Sequence, residues 1–265
     1  MGQYALRLSD DEVGRYQWMA RRARESEAEL WRLAGISAGA DVVDVGCGPG
    51  AILVAMADVV GPGGSVTGVD SDADAVDRAN ALAAAGGLRQ AGARLGHAEA
   101  TGLDAGAYDV AVLRHVLAHN GGHEQAIVDH LATLARPGGC VYLVDIEATM
   151  SRIRPPVPEV VEMLERYHAF HAAQGNDLQV GLRLADLLRG AGLEVVEHRG
   201  QIHSVPWQSG LRGPAWAARD SLVAAGFATP ADLTRWDAAF TALDAGEQHR
   251  PTMFLGGFVA IGRRG

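Results

Sequence analysis

Ten residues, Asp41-Val42-Val43-Asp44-Val45-Gly46-Cys47-Gly48-Pro49-Gly50, constrain this chain more than any others. Asp41–Val45 reads as a short buried strand, three glycines follow at alternate positions, and Pro49–Val60 reads as a helix of small and apolar residues. Glycine lets a backbone pass close to a ligand where a Cβ would clash. A helix that starts there offers free N–H groups and the positive end of its dipole. Asp70 closes the next strand, 24 residues after Gly46. A carboxylate at that place can accept both hydroxyls of a nucleoside ribose.

The segments after this bend keep alternating. Strands are predicted at Ser65–Val69, Ala91–Leu95, Tyr108–Leu113 and Cys140–Ile146, and helices at Asp72–Ala85 and Glu124–Leu134. Short apolar strands separated by helices argue for an α/β, doubly wound, mostly parallel sheet covered on both faces. Its ligands are expected beyond the carboxyl ends of the strands. A helix is predicted over 10–34, capped by Ser9 or Asp10 and closed by Gly35, with apolar residues at helical spacing. Beyond the stiff Pro155–Pro158 stretch, helices are predicted at Glu159–Ala173 and Leu182–Gly190 and a strand at Leu193–Ile202. Two further helices within 208–245 and a last strand at Thr252–Ile261 complete the reading. The division expected is a helical lid (1–34), a cofactor-binding core (35–150), and cap insertions with the final strands (151–265).

Composition narrows the chemistry. The chain has 265 residues and a net charge of −9, and all of its basic residues other than histidine are arginines. Without lysine there is no Schiff-base residue for pyridoxal chemistry and no Walker loop. The acidic balance and scattered arginines disfavour nucleic acid. Apolar runs such as Ala51–Ala57 fall far short of the ~20 residues of a membrane helix. Met1–Arg7 has no apolar signal core and Leu6 breaks the myristoylation pattern, so a soluble, cytoplasmic protein without membrane contact is expected. Cys47 and Cys140 are expected as free thiols. His115, His119 and His123 are spaced i, i+4, but the glutamate of a zinc helix is missing and Gly121-Gly122 interrupts the run, so no metal is expected.

Two cofactor classes fit a strand–glycine–helix bend. Gly46, Gly48 and Ala51 satisfy the dinucleotide spacing of an NAD(P)-dependent oxidoreductase. Against it, Asp44 would repel a pyrophosphate and Pro49 removes an N–H. Beside a sulfonium and an α-ammonium group, the same carboxylate is favourable. Here the sequence resembles the class I S-adenosylmethionine-dependent methyltransferases of the small-molecule type, similar to ubiquinone/menaquinone-biosynthesis and natural-product enzymes. Their first motif, [V/L]-[L/V/A]-D-[V/L]-G-[C/A]-G-x-G, matches Val42–Gly50 throughout. Tyr108–His119 resembles the family's fourth strand with its following motif, and Leu134–Gly139 its turn into strand five.

The resemblance implies a Rossmann-like seven-stranded sheet and S-adenosyl-L-methionine as cofactor. It also implies that Asp44, Gly46, Cys47, Gly48, Pro49 and Gly50 surround the methionine part, and that Asp70 with Ser71 holds the ribose. Where the family has Gly-Asp-Ala beside the adenine, this chain has Gly96-His97-Ala98-Glu99, so His97, Ala98 or Glu99 would take that contact. Tyr16 and Met19, one turn apart on the first helix, would reach over the cofactor, and Arg114 would line it.

His115 and His119 follow strand four and are best placed as a catalytic base, with His168, His171 and His203 on the cap side as alternatives. Asp145 and Glu147 end strand five and would face the acceptor. Residues 203–250 read as an inserted helical cap. Trp18, Trp31, Trp207, Trp216 and Trp236, with Phe170, Phe240, Met163 and Met253, either line a pocket for an apolar acceptor or form the cap's own core. Methyl transfer to O, N or C of such a molecule is expected. The alternatives are an NAD(P) oxidoreductase, or the same fold repurposed for cyclisation or binding. The long first helix leaves room for a homodimer.

Overall fold

The computed structural model describes residues 10–246 and 250–265, with side chains from Gly14 onward outside that internal gap. The proposed caps at Ser9 and Asp10 lie outside the described residues and side chains. In chain order the elements are α1 (Asp10–Ser26), α2 (Ala28–Ala34), β1 (Asp41–Val45), α3 (Ala51–Val60), β2 (Ser65–Asp70), α4 (Ala73–Ala85), β3 (Ala91–Leu95), β4 (Tyr108–Arg114), α5 (Glu124–Leu134) and β5 (Ala135–Ile146). Then come β6 (Arg152–Arg154), α6 (Pro158–Ala173), α7 (Leu184–Gly190), β7 (Glu194–Pro206), α8 (Pro214–Ala217), α9 (Arg219–Ala224), α10 (Pro230–Ala245) and β8 (Thr252–Arg263).

The sheet runs β3-β2-β1-β4-β5-β8-β6, with β7 paired to β8. The five strands from β3 to β5 are mutually parallel. β8 returns antiparallel between β5 and β7. The direction of winding reverses between β1 and β4. The chain leaves those two strands on opposite sides, which opens a crevice at their carboxyl ends.

Strand alternation divides the core cleanly. Val43, Val45, Ala111, Leu113, Val141 and Leu143 face one side, with α5, α6, α7 and the cap. Val42, Val110, Val112, Tyr142 and Val144 face the other, with α1, α2 and α3. The period of two that put valines on both faces also puts Asp44 and Arg114 on the second face, under the N-terminal helices.

Three expectations need correction. The helix over 10–34 breaks at Glu27, whose φ of −110° leaves helical geometry while its N–H still donates to Ala23 O at 2.8 Å and its buried side chain turns inward to Arg114. The sheet among the described residues has eight strands, because the short β6 pairs with the start of β8. The insertion after β7 holds α8, α9 and α10, one more helix than predicted, since the segment before Thr229-Pro230 splits at Ala218. α10 starts with a capping box in which Thr229 and Asp232 bond each other's backbone N–H.

The aromatics of the cap settle into its core. Trp207 stacks on Phe240 with centroids 5.6 Å apart, and Trp216 meets Phe240 edge-on at 5.1 Å. Phe170 meets Phe227 edge-on at 5.7 Å, and Trp236 is fully buried. Trp31 is buried with α2 on the opposite face.

Candidate active site

The glycine bend is built by backbone geometry that only glycine adopts without strain. Gly46, Gly48 and Gly50 have φ of +72°, +52° and +84°. A Cβ on Gly50 would stand 2.8 Å from the Ala79 Cα, so the bend also needs glycine to let α4 approach. Above the bend, the Tyr16 ring lies 3.8 Å from where a Gly48 Cβ would be. The first helix therefore covers the loop. Met19 sits one turn further on and accepts a 3.2 Å contact from Arg15 to its Sδ, while the Arg15 guanidinium lies 4.8 Å from the Tyr16 ring centroid.

Asp70 ties the bend to β2. One of its carboxylate oxygens accepts from Gly48 N at 2.8 Å and the other from Asp72 N at 3.0 Å. Gly46 and Cys47 both donate their backbone N–H to Val69 O, at 2.7 and 3.1 Å. Burial raises the Asp70 carboxyl above its usual range against these hydrogen bonds. Cys47 is a free thiol, pushed up by burial and by the nearby carboxylates Asp44 and Asp70.

Asp44 is a residue that the rest of the described protein leaves unfinished. It is 2% exposed and its Oδ2 has no hydrogen-bond partner. Burial pushes its carboxyl up to about 7, partly offset by Arg114 and reinforced by Asp70. A buried acceptor without a donor is costly, of order 1–3 kcal/mol, and native proteins keep few of them. Beside a glycine cradle such an oxygen suits a cationic ligand and repels a pyrophosphate. The residues present therefore fit S-adenosylmethionine, with its sulfonium and α-ammonium groups, and the dinucleotide alternative fails on this carboxylate.

This makes a proton-linked prediction. A cation beside Asp44 favours its ionised form, so the complex holds that carboxyl well below the value of the free protein. Below pH 7, binding of S-adenosylmethionine should release up to about one proton, and affinity should rise with pH and level off above 7. Calorimetry in buffers of different ionisation enthalpy measures this release, and Asp44→Asn should abolish it. The sign for folding is opposite. A carboxyl raised from 3.8 to about 7 by the fold costs stability progressively as pH rises across that interval.

Arg114 is not open to ligand in the way the resemblance implied. Its guanidinium makes a two-point ion pair with Glu27, at 2.6 and 3.0 Å, and Tyr142 donates its hydroxyl to the same carboxylate at 2.6 Å. Both side chains are nearly buried, at 9% and 6% exposure. Burial opposes the charge on Glu27, yet Arg114 wins and holds its carboxyl below the usual range. Glu27 carries no motif that singles it out in the sequence. The signal was available, because Ala20, Ala23, Glu27, Leu30, Trp31 and Ala34 continue one helical stripe, and Glu27 is the one charge on it.

His115 leaves β4 with φ +55°, a left-handed conformation rare outside glycine, and its N–H donates to Val144 O at 2.8 Å. Burial, then Arg114, holds its imidazole down at about 3. His119 ends a 3-10 turn at Leu117–His119 and is also held at about 3, by burial, His171 and Arg15. Both rings are neutral near pH 7, and neither is basic enough there to carry a proton unaided.

The residues proposed around the adenine are more open. His97 is exposed and its carbonyl accepts from Ala100 N at 3.0 Å. Ala98 is half-buried and Ser71 exposed beside Asp70. Glu99 is engaged by His123 Nδ1 at 2.8 Å. At the end of β5, Asp145 and Glu147 do not present open carboxylates to an acceptor. Asp145 accepts from Ala118 N at 3.2 Å and Ile146 N at 2.8 Å, and Glu147 accepts from Thr149 and Met150.

A reversing parallel sheet, a positive-φ glycine cradle and an orphaned buried carboxylate define a nucleoside-binding protein of the Rossmann-like class. Residues 17–198, more than half of the chain, match the family model described as Methyltransferase domain, and the chain belongs to that family. Nocamycin O-methyltransferase of Saccharothrix syringae is 39% identical over 105 residues, which is 40% of this chain and 37% of that protein. Ubiquinone biosynthesis O-methyltransferase of Cupriavidus pinatubonensis is 29% identical over 179 residues, 65% of this chain and 67% of that protein.

Among solved structures, a geranyl diphosphate methyltransferase in complex with SAM aligns at TM-score 0.57 and 14% identity, over 97% of this chain and 92% of that one. The [4+2]-cyclase SpnF aligns at TM-score 0.53 and 18% identity, over 91% and 81%. At these identities the likeness is one of fold. S-adenosylmethionine is the cofactor of the family to which this chain belongs. Among the described residues no helix is long and apolar enough to cross a membrane.

Proposed function

We propose that this protein transfers a methyl group from S-adenosylmethionine to an oxygen of an apolar small molecule held between β4, β5 and the cap. The observation that carries the reading is the partnerless Asp44 oxygen beneath the glycine cradle. It supports a cationic cofactor, and the two O-methyltransferase relatives support oxygen as the acceptor atom.

When bound, S-adenosylmethionine supplies an electrophilic methyl on a positively charged sulfur. This chain's residues supply position and dryness, which dominate where charge is dispersed on reaction. Asp70 and the bend hold the nucleoside end, and Asp44 balances the positive charge. Tyr16, on α1, closes the loop from above. His115 and His119 stand where β4 ends, with His171 of α6 against His119, on the acceptor side. His97, Ala98 or Glu99 contacts the adenine.

Incubation with the cofactor and a panel of apolar phenols, enols and carboxylic acids tests the reading by mass spectrometry. A product heavier by one CH₂, bearing an O-methyl group, is expected. Methylation only at carbon would contradict it. The SpnF likeness favours one other reading, a fold of this class used for ring closure. In that case the product has the mass of the substrate.

A further inference from the structure

His171 of α6 is 3% exposed, and its Nε2 has no hydrogen-bond partner. Its Nδ1 lies 3.0 Å from Asn176 Nδ2. The other end of that amide is committed, since Asn176 Oδ1 accepts from Gly121 N at 3.2 Å. The amide nitrogen therefore donates to Nδ1, and Nδ1 carries the lone pair. In a neutral imidazole the proton must then sit on Nε2. The orphaned atom is a donor, not a base. Burial, then His168, holds the ring at about 4, so it is neutral near pH 7.

The ring is fixed in place. Tyr167 meets it edge-on at 4.4 Å, and His119 lies 4.9 Å away by ring centroids. A Cβ on Gly121 would lie 1.8 Å from Gly175 O, so the end of α6 sits directly on the loop that carries His119. Asp145, at the end of β5, accepts from two backbone N–H groups and is pushed up to about 7 by burial, and Glu147, just after the strand, accepts from Thr149 and Met150. Arg15 adds positive charge that both His115 and His119 feel. Beside these engaged carboxylates, His171 Nε2–H is a buried donor left without an acceptor.

We infer that His171, beside His119, is an oxyanion receptor: the acceptor enters already ionised, as a carboxylate or an acidic enolate, and its oxygen takes the His171 Nε2–H. This rests on the methyl-transfer reading and names its substrate class. The oxygen's lone pair forms the C–O bond while the S–C bond breaks with its electrons left on sulfur. Anion and sulfonium both become neutral, and no proton leaves the acceptor. No protein base is needed, which suits two imidazoles held so far below their ordinary range.

The test uses the full ¹⁵N-labelled chain, with acetate as an oxyanion probe and ethanol as its neutral counterpart. Imidazole NMR should show the His171 proton on Nε2, and acetate should move that proton downfield where ethanol does not. Asn176→Asp, whose carboxylate accepts from Nδ1–H, should shift the proton to Nδ1 and abolish the acetate response. Glutamine keeps a donor near Nε2, so His171→Gln should hold acetate affinity within about threefold, read from the His119 resonances, whereas His171→Phe should lose about tenfold. A proton on Nδ1 in the unaltered chain, or equal responses to acetate and ethanol, would overturn the inference. The two readings fail separately. If O-methyl product forms while acetate leaves His171 unmoved, the receptor alone is wrong. If the acetate response holds and no methylated product forms from any ionised acceptor, methyl transfer is wrong.

Discussion

Glu27→Ala should lower the unfolding free energy by about 3–5 kcal/mol, because it strands the Arg114 guanidinium in a site that is 9% exposed. For a chain of this size that corresponds to a fall in Tm of roughly 10 °C. The loss does not measure what the ion pair contributes in total. Removing one partner leaves a buried charge without its counter-ion, whereas replacing both by apolar groups removes that penalty. Arg114→Met in the Glu27→Ala background should therefore recover part of the stability, and a thermal-melt double-mutant cycle reads the coupling. Glu27 also accepts the Tyr142 hydroxyl and marks the break between α1 and α2. The variant should loosen the first helix over the glycine bend as well, seen as faster amide exchange in α1. A melt unchanged within 1 °C would mean that the pair does not anchor α1.

Asp70→Ala is expected to weaken S-adenosylhomocysteine binding about a hundredfold or more. The carboxylate holds two backbone N–H groups, on Gly48 and Asp72, and its remaining lone pairs are the ones a ribose would use. Hydrogen bonds to a charged group contribute about 1.5–3 kcal/mol each, and two such bonds set the size of the effect. Asp70→Asn keeps an acceptor and should fall between. Calorimetry on all three chains checks the order. Equal affinity for the alanine variant and the unaltered chain would mean that the ribose is held elsewhere.

The cofactor half of this protein is legible because its constraints are local. Asp41–Val45, Ala91–Leu95 and Glu124–Leu134 fall where periodicity places them. The positive-φ glycines of the bend write a backbone conformation directly into residue type. What escaped was set by contacts distant in sequence. Arg114 reads as a ligand-facing residue at the end of β4, and only the fold shows that Glu27, at the break between α1 and α2 and 87 residues earlier, takes it. Asp145 and Glu147 read as acids aimed at an acceptor, and local turns consume them instead. The break at Glu27 and the short β6 both depend on partners brought in by the sheet.

The acceptor side was the least legible, for the same reason. His119 and His171 are on separate elements, and their ring contact depends on how the end of α6 lands on the Gly121 loop. The tautomer of His171 follows from one amide, Asn176, whose role no spacing rule announces. The aromatics of the cap were ambiguous between pocket and core until their stacking on one another placed them in the core.

The bend between β1 and α3, with the lone buried oxygen of Asp44 under it, carries the whole functional account. Parallel calorimetric titrations of the full chain with S-adenosylmethionine and with NADH test it most directly. One-to-one binding of the sulfonium nucleoside, lost or strongly weakened in Asp44→Ala, together with no heat from NADH, is the predicted result. Saturable binding of NADH with none of S-adenosylmethionine would contradict it.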